Sequence, residues 1–152
     1  MKRMKMRDAE AKDAKQLDML LAKLIREESQ YDSNLSSNCE IENNYSDRIG
    51  LDGHKLIVIE DAGEIVGYLY GFLYHIPGVY KSPIAILDAL FVKEKHRRKG
   101  YASMLIAEFR AFAAKCGAAQ IELKVLSNNL RAVALYEKLS FAETKKYMKM
   151  VL

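Results

Sequence analysis

An apolar stretch followed by a basic turn and a long amphipathic stretch constrains the fold of this chain more than any other feature. Residues Ile84–Val92 are apolar and β-prone except for Asp88, a composition typical of a strand buried on both faces. A polar segment, Lys93–Lys99, and then Gly100 follow the strand. Apolar residues then recur at three- and four-residue steps over Ala102–Cys116, which predicts a helix with one apolar face.

This order of strand, basic turn and helix predicts an anion site. The first N–H groups of a helix have no partner inside the helix, and the helix dipole adds positive charge there. Gly100 lets a phosphate approach the backbone closely, and Arg97, Arg98 and Lys99 bring full charges beside it. The expected ligand is a phosphate or pyrophosphate group. The alternative is a solvated basic loop, which the charge run taken alone favours.

Length and composition indicate one domain, residues 1–152, with a single core, because the chain has 152 residues of which 50% are hydrophobic. No apolar run reaches the length of a membrane span, and no signal-peptide apolar region follows the basic N-terminus. We therefore expect a soluble cytoplasmic protein with no membrane partner. Cys39 and Cys116 lack CxxC spacing and suit reduced thiols. The net charge of +4 favours anionic partners without choosing between a nucleotide and nucleic acid.

The remaining elements predict an α/β protein with a mixed sheet. Asp13 is expected to cap the first helix. Residues 39–49 are a candidate for a short second helix. The predicted strands cover residues 3–8, 55–60, 65–74, 84–92 and 120–126, with one or two more in 141–152. The predicted helices run from Asp13 to about Glu28, from Gly100 to Gly117 and over residues 130–139.

Residues 29–53, together with the end of the first helix, form the most acidic part of the chain. The favoured interpretation is a solvated helix and loop. The functional alternative is a lid whose negative field attracts a cationic substrate. Its acidic residues are Glu27, Glu28, Asp32, Glu40, Glu42 and Asp47.

Two motifs in the expected order resemble the GNAT superfamily, the Gcn5-related N-acetyltransferases. The stretch from Leu90 to Ala102 resembles the family's acetyl-CoA motif, Arg/Gln-x-x-Gly-x-Gly/Ala, and the stretch from Asn129 to Phe141 resembles Asn-x-x-Ala-x-x-Leu-Tyr-x-x-x-Gly-Phe. The resemblance implies a single GNAT-like domain, a mixed β-sheet with helices on both faces. Ser140 stands where the family usually has glycine, so the turn there must use a non-glycine residue.

The resemblance also implies acetyl-CoA as co-substrate, with no metal. The pantetheine would lie along the main chain of the central strand, and the pyrophosphate on the N–H groups of the turn and helix start. Asn129 would contact the cofactor near the pantetheine, and its alternative role is a helix N-cap. The implied cofactor-binding residues are Leu90, Phe91, Val92, Arg97, Arg98, Lys99, Gly100, Tyr101, Ala102, Ser103 and Asn129.

Two residues are candidates for catalysis. Tyr136 matches the tyrosine that in many family members protonates the departing thiolate of CoA, and its alternative role is a core aromatic. Asp88 is the one charge in the central strand, and simple alternation places it on the face of Leu90 and Val92. Because burying an unpaired carboxylate is costly, Asp88 suggests a site that accepts a proton from an ammonium or binds the cation. An ion pair with a nearby Lys or Arg is the equally weighted alternative.

Together these features predict an acetyl-CoA-dependent N-acetyltransferase acting on a small-molecule or peptide amine. A neutral amine would attack the thioester directly within a ternary complex, with the Leu90 N–H polarising the carbonyl. The acidic region favours a cationic acceptor, and the resemblance leaves a homodimer open. The first alternative is an inactive sensor that binds acetyl-CoA or CoA. A nucleic-acid binder, which would lose affinity steeply with salt, is disfavoured because no aromatics interleave the basic cluster.

Overall fold

A computed structural model describes residues 3–152, which form one five-stranded sheet and three helices. No helix in this part of the chain is both long and apolar enough to cross a lipid bilayer. In chain order the elements are β1 (Met4–Asp8), α1 (Ala14–Glu28), β2 (His54–Asp61), β3 (Glu64–Tyr74), β4 (Ile84–Val92), α2 (Tyr101–Lys115), β5 (Gln120–Leu123) and α3 (Leu130–Lys138).

The sheet is mixed, as the sequence predicts. Its strand order is β1-β2-β3-β4-β5, with antiparallel pairing except between β4 and β5, which are parallel. The predicted hairpin of β2 and β3 turns at Ala62 and Gly63, whose φ angles of 54° and 82° are both left-handed. Two left-handed residues in a two-residue loop match the twist of the strands they join.

Helices cover both faces of the sheet. Leu105 and Phe109 of α2 pack with sheet residues on one face, and α3 adds to the same cluster. Leu17 and Leu20 of α1 pack on the opposite face. Gly71 on β3 permits the close approach of α2, because a Cβ there would lie 2.3 Å from the Phe109 ring.

A β-bulge in the central strand decides which side chains face which helix. Tyr70 pairs with Ala89 and Gly71 pairs with Leu87, so Asp88 is an extra residue on β4. The bulge reverses the alternation, because Leu87 packs on the α2 face whereas Ala89, two residues later, packs on the α1 face. Beyond the bulge, β4 therefore presents a different set of side chains to each helix layer than simple alternation predicts.

The expected burial of Asp88 is wrong, and so is its expected face. Asp88 is exposed, whereas Leu90 and Val92 pack on the α2 face. Its charge contributes to raising the pKa of Tyr68 and Tyr70, which belong to the cluster on the α1 face. Strict two-residue alternation assumes that a strand has no extra residue, so it assigns Asp88 to the wrong face.

Two predicted elements at the margins of the fold are absent from the described residues. Residues 141–152 form no strand, and Tyr147 and Met148 are largely exposed. An alternating pattern alone does not make a strand, because the backbone also needs a partner edge. Residues 39–49 form turns rather than a helix, with Asn43 left-handed at φ 55°. The strand predicted over 120–126 ends at Leu123.

Asp13 precedes α1 but does not cap it. Its carboxylate instead accepts hydrogen bonds from Arg7 at 2.8 Å and from the Glu10 N–H at 2.7 Å. Burial alone would raise the pKa of Asp13, but the Arg7 guanidinium and the Glu10 N–H lower it. The charge-assisted pair with Arg7 takes the place of the expected cap because it is the stronger interaction.

Candidate active site

A groove opens where β4 and β5 separate. The two strands pair only from Ile84 with Gln120 to Leu87 with Leu123, so within the described chain the β5-side edge of β4 has no strand partner after the bulge. The Lys93 N–H donates to Val66 O on β3 at 2.8 Å. Because alternate residues direct their backbone groups to opposite edges, those of Leu90 point into the groove. An extended ligand can bind such an edge as an added strand.

The turn after β4 presents a row of free backbone donors. Arg98 and Gly100 both adopt left-handed conformations, with φ angles of 62° and 81°, and α2 begins directly afterwards at Tyr101. Within residues 3–152, no hydrogen-bond acceptor engages the backbone N–H groups of residues 98–103. Successive N–H groups in such a turn, together with a helix N-terminus, make an anion-binding concavity. This geometry suits a pyrophosphate.

Asp61, at the end of β2, is the residue on which the side chains of this turn converge. The Tyr101 hydroxyl donates to its carboxylate at 3.4 Å, and Lys99 Nζ lies 4.0 Å from it. His96 Nδ1 lies 3.5 Å from the same carboxylate. Burial and then the charge of Asp61 raise the pKa of Tyr101. The end of β2 thus holds the side chains of the turn without using the backbone donors.

Arg97 is engaged away from the free N–H groups. Its Nη2 donates to both carboxylate oxygens of Glu27 on α1, each at 2.9 Å, and its Nε donates to Val92 O at 2.7 Å. The guanidinium also lies over the Phe91 ring, 5.5 Å from its centroid. Arg97 therefore connects α1 to the end of β4. Of the three basic residues expected near a phosphate, Arg98 and Lys99 are left to supply the positive charge.

A cavity of about 540 Å³ lies beside the Arg97–Glu27 ion pair, between the second half of α1 and the end of β4. Its lining includes Lys23, Arg26, Lys93 and Lys95. Lys93 is paired with Glu64. Glu27 and Glu94 also line the cavity, so the positive charge of the remaining basic side chains is largely balanced.

Asn129 and Tyr136 bound the groove on the side of α3. Asn129 is 9% exposed, and its side chain accepts the Ala132 N–H at 3.3 Å, so the alternative role of Asn129 as the N-cap of α3 is confirmed. Tyr136 packs edge-on against Phe141, with ring centroids 5.7 Å apart. Ser140 is left-handed at φ 73°, as the missing glycine requires, and the Phe141 N–H donates to Tyr136 O at 2.9 Å.

The pKa of Tyr136 is raised to about 12, first by burial and then by the charge of Glu28. Glu28 ends α1 on one face of the sheet, whereas Tyr136 packs with the cluster on the other face. The two residues are therefore close enough for the charge of Glu28 to act on the phenol. The phenol is protonated throughout the physiological range, which is the state a general acid requires.

An aromatic wall stands beside Asp88 on the α1 face. The Tyr70 hydroxyl and His54 Nδ1 are 2.7 Å apart, and the His54 ring stacks on Tyr70 and Phe72 with centroids 5.9 Å apart in each case. Burial first, and then the charge of Asp88 among other groups, raises the pKa of Tyr45. An exposed carboxylate next to aromatic rings is a favourable environment for a cation.

The structure brings most of the predicted site residues together but adds residues that the sequence did not identify. The local sequence motifs contain no signal for Asp61, because its role depends on the end of β2 meeting the turn after β4. The sequence places Glu27 in a general acidic region, whereas the structure pairs its carboxylate with the guanidinium of Arg97. The signal in the sequence that could have identified the aromatic wall is the two-residue spacing of Tyr70 and Phe72 in β3.

The chain belongs to the acetyltransferase (GNAT) family, because the model of that family matches residues 20–141. The resemblance predicted from the two motifs is thereby confirmed. Among curated proteins, an aminoglycoside N(6')-acetyltransferase type 1 from Serratia marcescens is 32% identical over 72 residues, which is 47% of this chain and 49% of that relative. A protein of the same name from Acinetobacter haemolyticus is 29% identical over a stretch of the same length. The matched stretch thus spans about half the length of these relatives.

Solved structures share the fold over nearly the whole chain. A mutant of the BH1408 protein from Bacillus halodurans superposes with a TM-score of 0.86 at 17% identity, covering 97% of this chain and 99% of that one. The aminoglycoside N-acetyltransferase AAC(6')-Iy in complex with CoA superposes with a TM-score of 0.77 at 17% identity, covering 97% and 98% of the two chains. These similarities confirm the predicted GNAT-like sheet with helices on both faces.

Proposed function

We propose that this protein is an acetyl-CoA-dependent N-acetyltransferase that acts on a cationic amine. The observation that carries the proposal is the open edge of β4, which has free backbone donors at one end and Asp88 at the bulge. Family membership supports the reaction class, and the geometry supports the assignment of roles.

The cofactor would bind along the groove as an added strand. Its pantetheine would pair with the backbone of Leu90, and its pyrophosphate would accept hydrogen bonds from the N–H groups of residues 98–103. The Leu90 N–H would then donate to the thioester oxygen as negative charge develops there. Arg98 and Lys99 supply the charge that neutralises the pyrophosphate.

The acetyl group would pass directly to the amine. The neutral amine nitrogen attacks the carbonyl carbon, so a C–N bond forms, the C–S bond breaks and the thiolate leaves. Tyr136 donates its proton to that thiolate. Asp88 accepts the proton released by the amine, directly or through water. Because Asp88 is exposed, substrate and solvent can both reach it.

The acceptor we propose is a polycationic amine of the aminoglycoside type. The aminoglycoside acetyltransferases among its relatives suggest this class. The exposed Asp88 and the partly exposed rings of His54 and Phe72 on the same face form a suitable surface. Aromatic faces and carboxylates both attract ammonium groups.

The test is CoA release from acetyl-CoA with a panel of amines comprising an aminoglycoside, a polyamine and a lysine-containing peptide. We expect turnover with the aminoglycoside, and a loss of kcat/KM of about 100-fold or more in Asp88→Asn, the scale of lost acid–base catalysis. Acetyl-CoA affinity, measured by calorimetry, should stay unchanged in that variant. Full activity of Asp88→Asn would assign the carboxylate a role outside catalysis.

The second candidate is a sensor that binds acetyl-CoA or CoA without turnover. The exposed groove favours it as much as it favours an enzyme, whereas Asp88 and the protonated Tyr136 favour the enzyme. Binding of acetyl-CoA without turnover of any amine would support the sensor, and absence of acetyl-CoA binding would exclude both candidates. A homodimer remains part of the proposal, to be tested by light scattering.

A further inference from the structure

Residues 29–53 cross from α1 to β2 without forming a helix or a strand. A segment of this kind cannot be held by a backbone ladder, so its position depends on turns and on side chains from other elements. Arg26 Nε donates to Cys39 O at 2.9 Å, and Asn128 Nδ2 donates to Tyr31 O at 3.1 Å. Both of these contacts are exposed. The buried contact lies further along the segment.

That buried contact is made by Asp18 of α1. Its side chain is buried, with 5% of the residue exposed, and its carboxylate accepts the Tyr45 N–H at 3.1 Å and the Asn44 N–H at 3.4 Å. No Lys, Arg or His among residues 3–152 forms an ion pair with it. A buried carboxylate needs hydrogen-bond donors, so Asp18 and the two amides stabilise each other.

Tyr45 connects the part of the segment that Asp18 holds to the sheet. It is 1% exposed, its hydroxyl lies 2.9 Å from that of Tyr68, and its ring packs edge-on against Tyr68 and Tyr70 with centroids 5.6 Å and 5.3 Å apart. Arg48 follows in the same turn, with its guanidinium 5.4 Å from the centroid of Tyr70. The end of the segment therefore lies against the tyrosines whose pKa Asp88 helps to raise.

We propose that Asp18 is a positioning residue for the acceptor side of the groove. Its carboxylate holds residues 44–45 in place, and through Tyr45 it fixes the segment as a wall beside Asp88. The inference rests on the proposed function, because it takes Asp88 and the aromatic wall as the surface that receives the amine. Asp18 itself is too deeply buried to contact a substrate.

The experiment compares Asp18→Ala and Asp18→Asn with the wild type and with Glu143→Gln, which removes one exposed negative charge from the C-terminal segment. We expect Asp18→Ala to raise the KM for the aminoglycoside about 10-fold, the equivalent of 1.4 kcal/mol. The Kd for acetyl-CoA should stay within about twofold, because the cofactor groove uses other elements. Asp18→Asn keeps one acceptor oxygen and should show a smaller rise, and Glu143→Gln should show none.

Amide hydrogen exchange of residues 44 and 45, followed by NMR, tests the contact itself. Their protection should fall in Asp18→Asn while that of the β3 amides is kept. An unchanged aminoglycoside KM, or a KM and an acetyl-CoA Kd that deteriorate together with the folded fraction, would overturn the proposal. If no amine is turned over by the wild type, the proposed function fails separately, and unchanged exchange at 44–45 would still refute the contact.

Discussion

The two sides of the groove are built in different ways. On the cofactor side, the groups that face a ligand are backbone atoms of regular elements, the edge of β4 and the start of α2. On the acceptor side, they are side chains, and part of the wall is an irregular segment held by Asp18 and Tyr45. A site made of backbone atoms tolerates substitutions of side chains but is sensitive to changes in the φ angles. A site made of side chains is sensitive to substitutions and tolerates small changes in the backbone. The acceptor side is therefore the part in which specificity can change without loss of the fold.

Tyr136 belongs to the catalytic groups that would act between the two sides, and its replacement should have the largest effect among the three changes that test this comparison. We expect Tyr136→Phe to lower kcat about 100-fold, because the thiolate would leave without a proton donor. Since the pKa of Tyr136 is about 12, the ratio of the two rates should stay constant from about pH 6 to 10, where the phenol stays protonated.

The measurement is the pH dependence of kcat for both proteins, with Tyr147→Phe as a control because Tyr147 is 78% exposed. A descending limb in the wild type below pH 10 that disappears in Tyr136→Phe would contradict the raised pKa. Equal rates for the two proteins would assign Tyr136 to packing.

Gly100 tests the claim that the cofactor side depends on backbone conformation. Its φ is 81° and a Cβ there would meet nothing within 4 Å, so Gly100→Ala changes conformational preference without a clash. A left-handed alanine costs about 1–2 kcal/mol, so we expect the Kd for acetyl-CoA to rise about 10-fold as the turn relaxes. Calorimetry measures the change.

Gly117→Ala is the matched control, because Gly117 has the same φ of 81° and the same open surroundings but lies at the end of α2 away from the turn. It should cost similar stability and leave the Kd for acetyl-CoA unchanged. If both alanine variants weakened acetyl-CoA binding equally, the effect would come from general stability rather than from the conformation of the turn.

The smallest expected effect belongs to Ser140, which is part of the scaffold shared by both sides. Its φ of 73° is strained for serine, so Ser140→Gly should raise the free energy of unfolding by up to about 1 kcal/mol. Urea denaturation measures this gain, and Ser140→Ala is the control that should show none. A loss of stability in Ser140→Gly would mean that the serine side chain makes a favourable contribution of its own.

Sequence alone predicts the central strand, the basic turn and the two motifs, because these depend on residues close together in the chain. Hydrophobic periodicity predicts β4 and α2, Gly100 marks the turn, and Asn129 marks the start of α3. The free N–H groups of a helix start follow from local structure alone. For that reason an anion site can be predicted from this segment without its tertiary surroundings.

Tertiary contacts set the position of Asp88, the partner of Arg97 and the arrangement of residues 29–53. The bulge at Asp88 exists because β3 and β4 pair in a particular register, and Arg97 pairs with Glu27 because α1 crosses the end of β4. Asp18 and Tyr45 meet although 27 positions separate them in sequence. Contacts of this kind leave no periodic or local signal, because they arise only when the chain brings distant residues together.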